Sequence, residues 1–383
     1  MIKVLNIVGA RPGIIKASAI NRAIRNCFSD TIHEVIVHTG QHYDKELSSV
    51  FFNELHIPKP DYNLQVGSAR HGKQTAGMIS GIEEIILKQN PDYTIVYGDT
   101  NSTLAAAIAS SKLHVPVVHI EAGLRSFNKS MPEEINRIIC DHVSTLLFAP
   151  TNAGFKNLIK EGFKPENSPP YHIDNPKIYH SGDIMYDNSL FYGELTNSKQ
   201  EFLNKLRVEP GKFILATIHR DHNTDDETRL EGIIDALNEI ALSEKMPIIL
   251  PLHPRTTYAL KNKLPEALFK AIEENTLMKT MAPISYLEMI LLEKNAKIIM
   301  TDSGGVQKEA HFFKKPCIIF RPETEWVELI KNGTAVLADA DKKKIIDAYH
   351  YFNNGKNYNY PTFYGDGKTA EYICGELVKN FDK

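Results

Sequence analysis

Short apolar runs alternate with segments of helical periodicity from one end of this chain to the other. The candidate strands are residues 3–8, 34–38, 93–97, 115–120, 145–149, 213–217, 248–252, 298–301 and 317–320. The candidate helices are residues 15–25, 74–88, 102–112, 228–243, 285–292, 306–313 and 369–381. In residues 74–88, Met78, Ile82, Ile85 and Ile86 recur at the spacing of one helix face. This alternation predicts parallel sheets with crossover helices.

The length of the chain suggests two such domains. It has 383 residues, and domains usually contain about 100–200. Four prolines within residues 165–176 mark a loop between the two alternating sets. We predict one Rossmann-like domain over residues 1–178 and a second over residues 179–366, with the last helix, residues 367–383, able to pack back on the first. Ligands would bind in a central cleft at the carboxyl ends of both sets of strands.

Composition argues against several classes of protein. The net charge is −3 and no run of like charges stands out, which disfavours nucleic-acid and membrane partners. The apolar runs are too short to span a bilayer, and the start of the chain lacks a signal-peptide pattern, so a cytoplasmic protein is expected. The 4 cysteines form no C-x-x-C pair, and neither a disulfide framework nor a metal site is expected.

Charged residues follow the first and third candidate strands. Arg11 and Lys16 lie in residues 9–16, where the first strand leads into the first helix. Because a helix N-terminus already favours anions, these bases predict a phosphate site, although a plain strand–helix turn with two solvated bases is the alternative. Asp99 follows the strand at residues 93–97 and is either a helix-capping residue or a functional carboxylate.

An acidic cluster follows the next strand. Glu121 ends that strand, Glu133 and Glu134 begin a helix, and Arg125 and Arg137 lie among them. Carboxylates that exchange a proton with carbon need perturbed surroundings, which clustering supplies. The alternative for the two helical glutamates is a favourable interaction with the helix dipole.

Four strand ends in the second set also carry polar residues. These are His219 with Arg220, His253 with Arg255, Asp302 followed by Ser303, Gly304 and Gly305, and Arg321. A Ser-Gly-Gly at a helix N-terminus leaves N–H groups for phosphate oxygens, unless it is an ordinary tight turn. Glu309, one turn into that helix, could accept both hydroxyls of a ribose.

With these motifs in this order, the chain resembles the non-hydrolysing UDP-N-acetylglucosamine 2-epimerases, whose fold is the two-domain GT-B arrangement. The resemblance covers nearly the whole chain, through residues 9–16, 39–42, 97–103, 121–125, 132–137, 219–220, 302–309 and 321–328. Segments such as Tyr-Gly-Asp-Thr-Asn-Ser-Thr-Leu and Thr-Glu-Trp-Val-Glu-Leu are similar to the branch that epimerises UDP-2,3-diacetamido-2,3-dideoxy-glucuronate. That branch makes precursors of surface polysaccharides, including lipopolysaccharide.

The resemblance implies a function and a set of site residues. UDP would be held by Arg11, Lys16, Arg137, His219, Ser303, Gly304, Gly305, Glu309 and Arg321. Asp99, Glu121 and Glu133 would surround the sugar and, with His219, form the catalytic set. The implied reaction inverts C2 of a UDP-2-acetamido sugar by elimination of UDP and its re-addition to the glycal. It needs no metal or other cofactor, and a homodimer is expected.

Two positions depart from the family pattern. Gly13 stands where Glu or Gln is common, and His222 stands where Glu is common. A ring in place of an anion at position 222 would remove repulsion from a uronate substrate, unless His222 is simply an exposed loop residue. Two rival functions are a GT-B glycosyltransferase that uses a UDP-sugar and a non-catalytic nucleotide-sugar sensor. Neither needs three carboxylates around C2.

Overall fold

The computed structural model describes residues 1–40 and 55–381, apart from the side chains of residues 198 and 199. The chain divides into two compact units, Met1–Asn188 with Thr362–Lys383, and Ser189–Pro361. Within the described residues each unit contains one parallel sheet, which confirms the predicted pair of doubly wound α/β folds. No helix in this part of the chain is both long and apolar enough to cross a bilayer.

In the first unit, the described residues form a seven-stranded sheet in the order β3-β2-β1-β4-β5-β6-β7. Its strands are β1 (Ile2–Val8), β2 (Ile32–His38), β3 (Tyr62–Asn63), β4 (Tyr93–Tyr97), β5 (Val117–Ile120), β6 (Leu146–Ala149) and β7 (Lys177–His180). The strand order reverses between β1 and β4, where Asn6 pairs with Ile95. The loops that follow β1 and β4 therefore diverge from one point at the carboxyl edge, which is where such sheets bind ligands.

The helices of the first unit are Arg11–Ala23, which continues as a π-helical turn over Ile24–Phe28, His71–Gln89, Asn101–Lys112, Pro132–His142, Asn152–Lys160 and Thr369–Phe381. The helix Ile184–Leu195 begins in the first unit and ends in the second. The apolar face predicted in residues 74–88 is buried, since Met78 and Ile82 are inaccessible to solvent. The Asn101–Lys112 helix begins where the Thr100 hydroxyl accepts a hydrogen bond from the Thr103 N–H.

The first unit extends beyond residue 178. The strand β7 pairs with β6 from Leu146↔Lys177 to Ala149↔His180, so the sheet runs across the expected boundary. The C-terminal helix also belongs to this unit. The Asp187 carboxylate accepts a hydrogen bond from the Ala370 N–H at 2.7 Å, which ties the start of that helix to the end of the first segment.

The second unit repeats the same topology. Its described strands are β8 (Ile214–Thr217), β9 (Ile248–Pro251), β10 (Met278–Met281), β11 (Ile298–Thr301), β12 (Cys317–Ile319) and β13 (Ala335–Leu337), in the order β10-β9-β8-β11-β12-β13. Its helices are Thr196–Lys199 (3-10), Glu201–Leu206, Asp221–Thr224, Glu227–Ser243, Pro254–Lys263, Glu266–Glu274, Tyr286–Asn295, Gly304–Phe312, Val327–Lys331 and Lys342–Phe352. The order reverses between β8 and β11, which places His219 and Asp302 at this second reversal point.

Candidate functional site

Lys16 and Glu121 meet at the carboxyl edge of the first sheet. The Lys16 Nζ lies 2.6 Å from the Glu121 Oε2, and each side chain is little more than a tenth exposed. The Arg11–Ala23 helix that carries Lys16 begins without a side-chain cap, which leaves its first N–H groups available to an anion. Arg11, at the first helical position, is exposed. Lys16 therefore pairs with a carboxylate, and Arg11 lies at the positive end of the same helix.

The backbone around Glu121 is folded tightly to make this pair. Glu121 adopts a φ of 75°, which is uncommon for a residue other than glycine. The N–H groups of Glu121 and Ala122 both donate to the Phe148 carbonyl, which fixes the turn. Gly98 lies next to the Lys16–Glu121 pair, since a Cβ added to Gly98 would be 3.0 Å from the Lys16 Nζ. Its φ of 62° also favours glycine.

Asp99 is held by Arg137. The Arg137 Nη2 donates to the Asp99 Oδ2 at 2.5 Å, and its Nη1 donates to the Glu134 Oε2 at 3.0 Å. Asn136 donates to the Asp99 backbone carbonyl at 2.8 Å. One helix, Pro132–His142, thus fixes both the backbone and the carboxylate of Asp99. Arg137, which is predicted to bind UDP, therefore already pairs with two carboxylates, Asp99 and Glu134.

Glu133 and Glu134 are neighbours in sequence but differ in surroundings. Glu134 is buried and accepts hydrogen bonds from the N–H groups of Ser126 and Phe127, both at 2.9 Å. Burial alone would raise the pKa of Glu134, but those N–H groups and Arg137 outweigh it and lower the pKa. Glu134 is thus a structural anchor for the loop after β5.

Glu133 is exposed and faces a cleft within the first unit. The cleft has a volume of about 250 Å³. Its walls are formed by Ala10, Pro12, His71, Asp99, Thr100, Asn101, Pro132, Glu133 and Asn136. The structure therefore brings the predicted carboxylates Asp99 and Glu133 into one cleft, beside the start of the Arg11–Ala23 helix.

A buried polar network lies behind these carboxylates. The His119 Nδ1 is 2.7 Å from the Asp141 Oδ1, and its Nε2 is 2.8 Å from the Gly98 carbonyl. Both ring nitrogens face acceptors. Arg125 pairs with the other oxygen of Asp141 at 2.7 Å. Burial would raise the pKa of Asp141, but His119 and Arg125 lower it. This network supports the Gly98 turn on which the Lys16–Glu121 pair lies.

In the second unit, Asp302 fixes the loop after β8. Its carboxylate is buried and accepts from the N–H groups of His219 and Arg220, both at 3.0 Å, and from the Asn223 amide at 3.1 Å. The His219 Nδ1 also lies 3.1 Å from the Asp302 Oδ1. Burial raises the pKa of Asp302, but the hydrogen bonds from His219 and the other donors outweigh it and lower the pKa. His219 is thereby oriented while its side chain stays 42% exposed.

The Ser303–Gly305 segment opens a helix without a side-chain cap. The helix is Gly304–Phe312, and Ser303 adopts an extended conformation before it. The Trp326 indole N–H donates to the Gly304 carbonyl at 2.9 Å. The first N–H groups of this helix are thus available to an anion, as the sequence predicts.

Arg321 and Glu309 are also buried near this helix end. Both guanidinium nitrogens of Arg321 donate to the Glu325 carboxylate at 3.1 Å. One Glu309 oxygen lies 3.9 Å from the position of a Cβ on Gly305. Ser303, Gly304, Gly305, Glu309 and Arg321 therefore form one group around the first turn of the helix.

The remaining strand-end candidates are more exposed. Arg255 makes ion pairs with Asp221 and Asp225. His222 is exposed, and partial burial together with Arg229 lowers its pKa. Arg321 and Arg220 act on it in the same direction. Of the motif at residues 39–42, Gln41 and His42 lie outside the described residues.

Sequence reasoning assigned no role to Asp141 or Glu325. It named Asp302 only as the residue before the Ser-Gly-Gly turn, and it weighed Glu134 as a member of the acidic cluster or a partner of the helix dipole. Each of the four is a carboxylate that orients a predicted site residue or the loop that carries it. Asp302 is the one with a usable signal, because it ends a buried strand directly before the Ser-Gly-Gly turn.

Two parallel sheets in Rossmann order, each with charged side chains and an uncapped helix N-terminus at its reversal point, define a nucleotide-binding enzyme of the GT-B class. Comparison with known proteins specifies the family. The family described as UDP-N-acetylglucosamine 2-epimerase matches residues 26–378. The chain therefore belongs to the UDP-N-acetylglucosamine 2-epimerase family, and its enzyme class is isomerase.

Individual relatives match over nearly their full length. A UDP-N-acetylglucosamine 2-epimerase homologue of Methanococcus maripaludis is 46% identical, with 99% of each chain covered. The UDP-2,3-diacetamido-2,3-dideoxy-D-glucuronate 2-epimerase of Pseudomonas aeruginosa is also 46% identical, over 98% of this chain and 99% of its own. The Methanocaldococcus jannaschii UDP-GlcNAc 2-epimerase, solved with UDP-GlcNAc and UDP, is 40% identical, covers 99% of this chain and 100% of its own, and superimposes with a TM-score of 0.86.

Proposed function

We propose that this protein inverts C2 of a UDP-2-acetamido sugar without net hydrolysis. The observation that carries the proposal is the Lys16–Glu121 pair, 2.6 Å apart, at the reversal point of the first sheet. Asp99 lies on the neighbouring loop, and it shares a cleft with Glu133. Family membership and the substrates named for the relatives support the same reaction.

The chemistry explains why such a site needs several carboxylates. The C2 proton is not acidic, since no carbonyl adjoins it, so departure of UDP must lead. Loss of UDP from C1 and of the proton from C2 forms a 2-acetamidoglucal. Addition of UDP back to C1, with proton delivery to the opposite face of C2, completes the inversion. Two faces of one carbon therefore need groups that take and return a proton.

We assign these proton transfers to the first unit. Asp99, Glu121 and Glu133 are the candidate acids and bases, and Lys16 stabilises Glu121 as a carboxylate through their ion pair. Arg137 holds Asp99 in place. Arg11 and the start of its helix supply positive charge for the diphosphate.

We assign UDP binding to the second unit. The N–H groups at Ser303, Gly304 and Gly305 would bind phosphate oxygens, and His219 would stabilise charge on the departing diphosphate. Glu309 would accept hydrogen bonds from the ribose hydroxyls. Arg321 contributes positive charge behind the glycines, although Glu325 neutralises part of it.

The experiment is turnover in heavy water, followed by NMR of the C2 position. We expect deuterium at C2 of the product, because the abstracted proton exchanges with solvent before it is returned. Glu121→Gln is expected to bind UDP normally and to incorporate little deuterium. Product formed without deuterium at C2 would exclude the elimination and re-addition scheme.

For the sugar, we propose that the 3-acetamido uronate is preferred over UDP-N-acetylglucosamine. The Pseudomonas aeruginosa relative, 46% identical, is named for the uronate. Burial and the charges of Arg229, Arg321 and Arg220 lower the pKa of His222, while Asp302 acts in the opposite direction. We infer that these three arginines favour a substrate carboxylate near position 222. The test compares kcat/KM for both sugars in the wild type and in His222→Glu. A higher wild-type kcat/KM for UDP-N-acetylglucosamine would reject the preference and leave the epimerase proposal intact.

We also propose that the protein acts as a homodimer in the synthesis of surface polysaccharide precursors such as those of lipopolysaccharide. The resemblance to the family is the support for this. Sedimentation equilibrium of the purified chain tests the dimer, and a monomer at micromolar concentration would contradict it.

A further inference from the structure

Glu293 is a buried carboxyl that the proposed reaction does not use. It lies on the helix Tyr286–Asn295 and is 0% exposed. Its carboxyl lies within hydrogen-bonding range of the Glu309 carboxyl, on the neighbouring helix Gly304–Phe312. Within the described residues, neither oxygen of Glu293 meets another hydrogen-bond partner.

Two buried carboxyls at hydrogen-bond range cannot both be ionised at low cost. An isolated buried carboxylate is strongly destabilised, and a second negative charge beside it adds repulsion. Burial, together with the Glu309 carboxyl, raises the pKa of Glu293 well above its ordinary value. Glu293 is the more deeply buried of the two, so the proton belongs on Glu293 at neutral pH.

The position of Glu309 makes the orientation of its carboxylate important for ligand binding. One of its oxygens lies 3.9 Å from the position of a Cβ on Gly305, next to the uncapped start of its own helix. A carboxylate offers about four lone-pair directions. One can accept the Glu293 O–H, and another can accept from a ligand hydroxyl at the helix end.

We propose that Glu293 is a positioning residue: its protonated carboxyl donates an O–H···O hydrogen bond to Glu309 and thereby fixes the carboxylate that receives the ribose hydroxyls of UDP. This inference rests on the proposed UDP binding by the second unit. Glu293 would act through Glu309 without touching the nucleotide itself. The hydrogen bond also explains how a buried carboxyl is accommodated without a cation.

The test uses two variants of similar size. Glu293→Gln keeps a hydrogen-bond donor toward Glu309, and Glu293→Met removes it. Binding of UDP and of 2′,3′-dideoxy-UDP is measured by calorimetry for each full-length variant. We expect the wild type and Glu293→Gln to prefer UDP by the same factor. Glu293→Met is expected to lose about tenfold in UDP affinity, with the affinity for dideoxy-UDP unchanged.

Glu288→Gln is the matched control on the same helix. Its carboxylate accepts from the Ser285 N–H at 2.8 Å and completes a capping box. This variant is expected to lower the melting temperature and to leave the preference for UDP over dideoxy-UDP unchanged. A merely structural role for Glu293 would give the same pattern in Glu293→Met, and that result would overturn the proposal.

A second measurement covers the case in which Glu293→Met does not fold. The infrared difference between the wild type and Glu293→Gln should contain the carbonyl stretch of a protonated carboxylic acid, and its absence overturns the proposal. Glu309→Ala tests the ribose contact separately from the positioning role of Glu293. Unchanged UDP affinity in Glu309→Ala rejects the ribose contact itself. Weakened affinity there, with no effect in Glu293→Met, rejects only the positioning role.

Discussion

Replacing Asp302 with alanine should loosen the loop that carries His219. The buried carboxylate accepts from two backbone N–H groups and from Asn223, and it pairs with His219. Asn223 keeps a second bond to the Phe320 carbonyl at 3.0 Å, so its loss is partial. Removing one partner of a buried charged network costs about 3–5 kcal/mol. We expect Asp302→Ala to lower the melting temperature by roughly 10 °C.

Asp302→Asn is a milder form of the same change. The amide oxygen at the Oδ2 position can still accept from the N–H groups of His219 and Arg220. The NH₂ group replaces the oxygen that lies 3.1 Å from the His219 Nδ1, so this contact and the negative charge are lost. A cost of about 1.5–3 kcal/mol is expected for the lost charged hydrogen bond. The control is Asp341→Asn, an exposed helix cap that accepts from the Lys344 N–H, because asparagine caps as well as aspartate.

The pH dependence of this effect has a definite sign. The folded pKa of Asp302 lies below its ordinary value of 3.8, because His219 and the backbone donors favour the carboxylate. Its stabilisation is therefore present above about pH 4 and is lost as the pH falls through the folded pKa. Denaturant unfolding should give the same difference between wild type and Asp302→Asn at pH 7 and pH 5. Equal stability of wild type and Asp302→Ala at pH 7 would refute the network argument.

Three further outcomes follow from the site. Glu121→Gln should lower kcat by about a hundredfold or more with UDP affinity unchanged, as expected for loss of a proton-transfer group, and steady-state kinetics with calorimetry checks this. Arg137→Lys should lower kcat and the melting temperature together, since one ammonium cannot bridge Asp99 and Glu134 as a guanidinium does. Arg321→Ala should weaken UDP binding about tenfold but also destabilise the protein, because the buried Glu325 side chain loses this ion pair, and thermal melting separates the two effects.

The fold was largely predictable because its central strands carry strong local signals. The runs that became β1, β4, β8 and β11 are apolar, and a helix such as His71–Gln89 shows clear periodicity. The edge strands were not predictable. The strand β3 has two residues and β13 has three, so only pairing with a neighbour in the folded sheet defines them. The strand β7 follows a proline-rich loop, and this hid the end of the first sheet.

The positions of the candidate site residues along the chain were predictable, but the side chains with which they pair were not. In a doubly wound sheet, the loops after the two strands at the reversal point border the ligand-binding crevice. Lys16 and Asp99 in the first unit, and His219 in the second, could therefore be named from their place in the sequence. The partner of each depends on side-chain directions that the chain assumes only when packed. The contact between Arg321 and Glu325 spans a loop with no regular periodicity, and nothing local distinguishes it from two solvated charges.

The carboxylates proposed as catalytic differ from the supporting ones in the number of donors that each one faces. Glu134 and Asp302 each accept from two backbone N–H groups and are buried, so they are held as permanent acceptors and are unsuited to exchanging a proton with a substrate. Glu133 is exposed in the cleft, and Glu121 is paired with the Lys16 ammonium. The sequence presents all four as acidic residues near strand ends or helix starts. Burial and donor geometry, which exist only in the folded chain, distinguish the two supporting carboxylates from the two that we propose as catalytic.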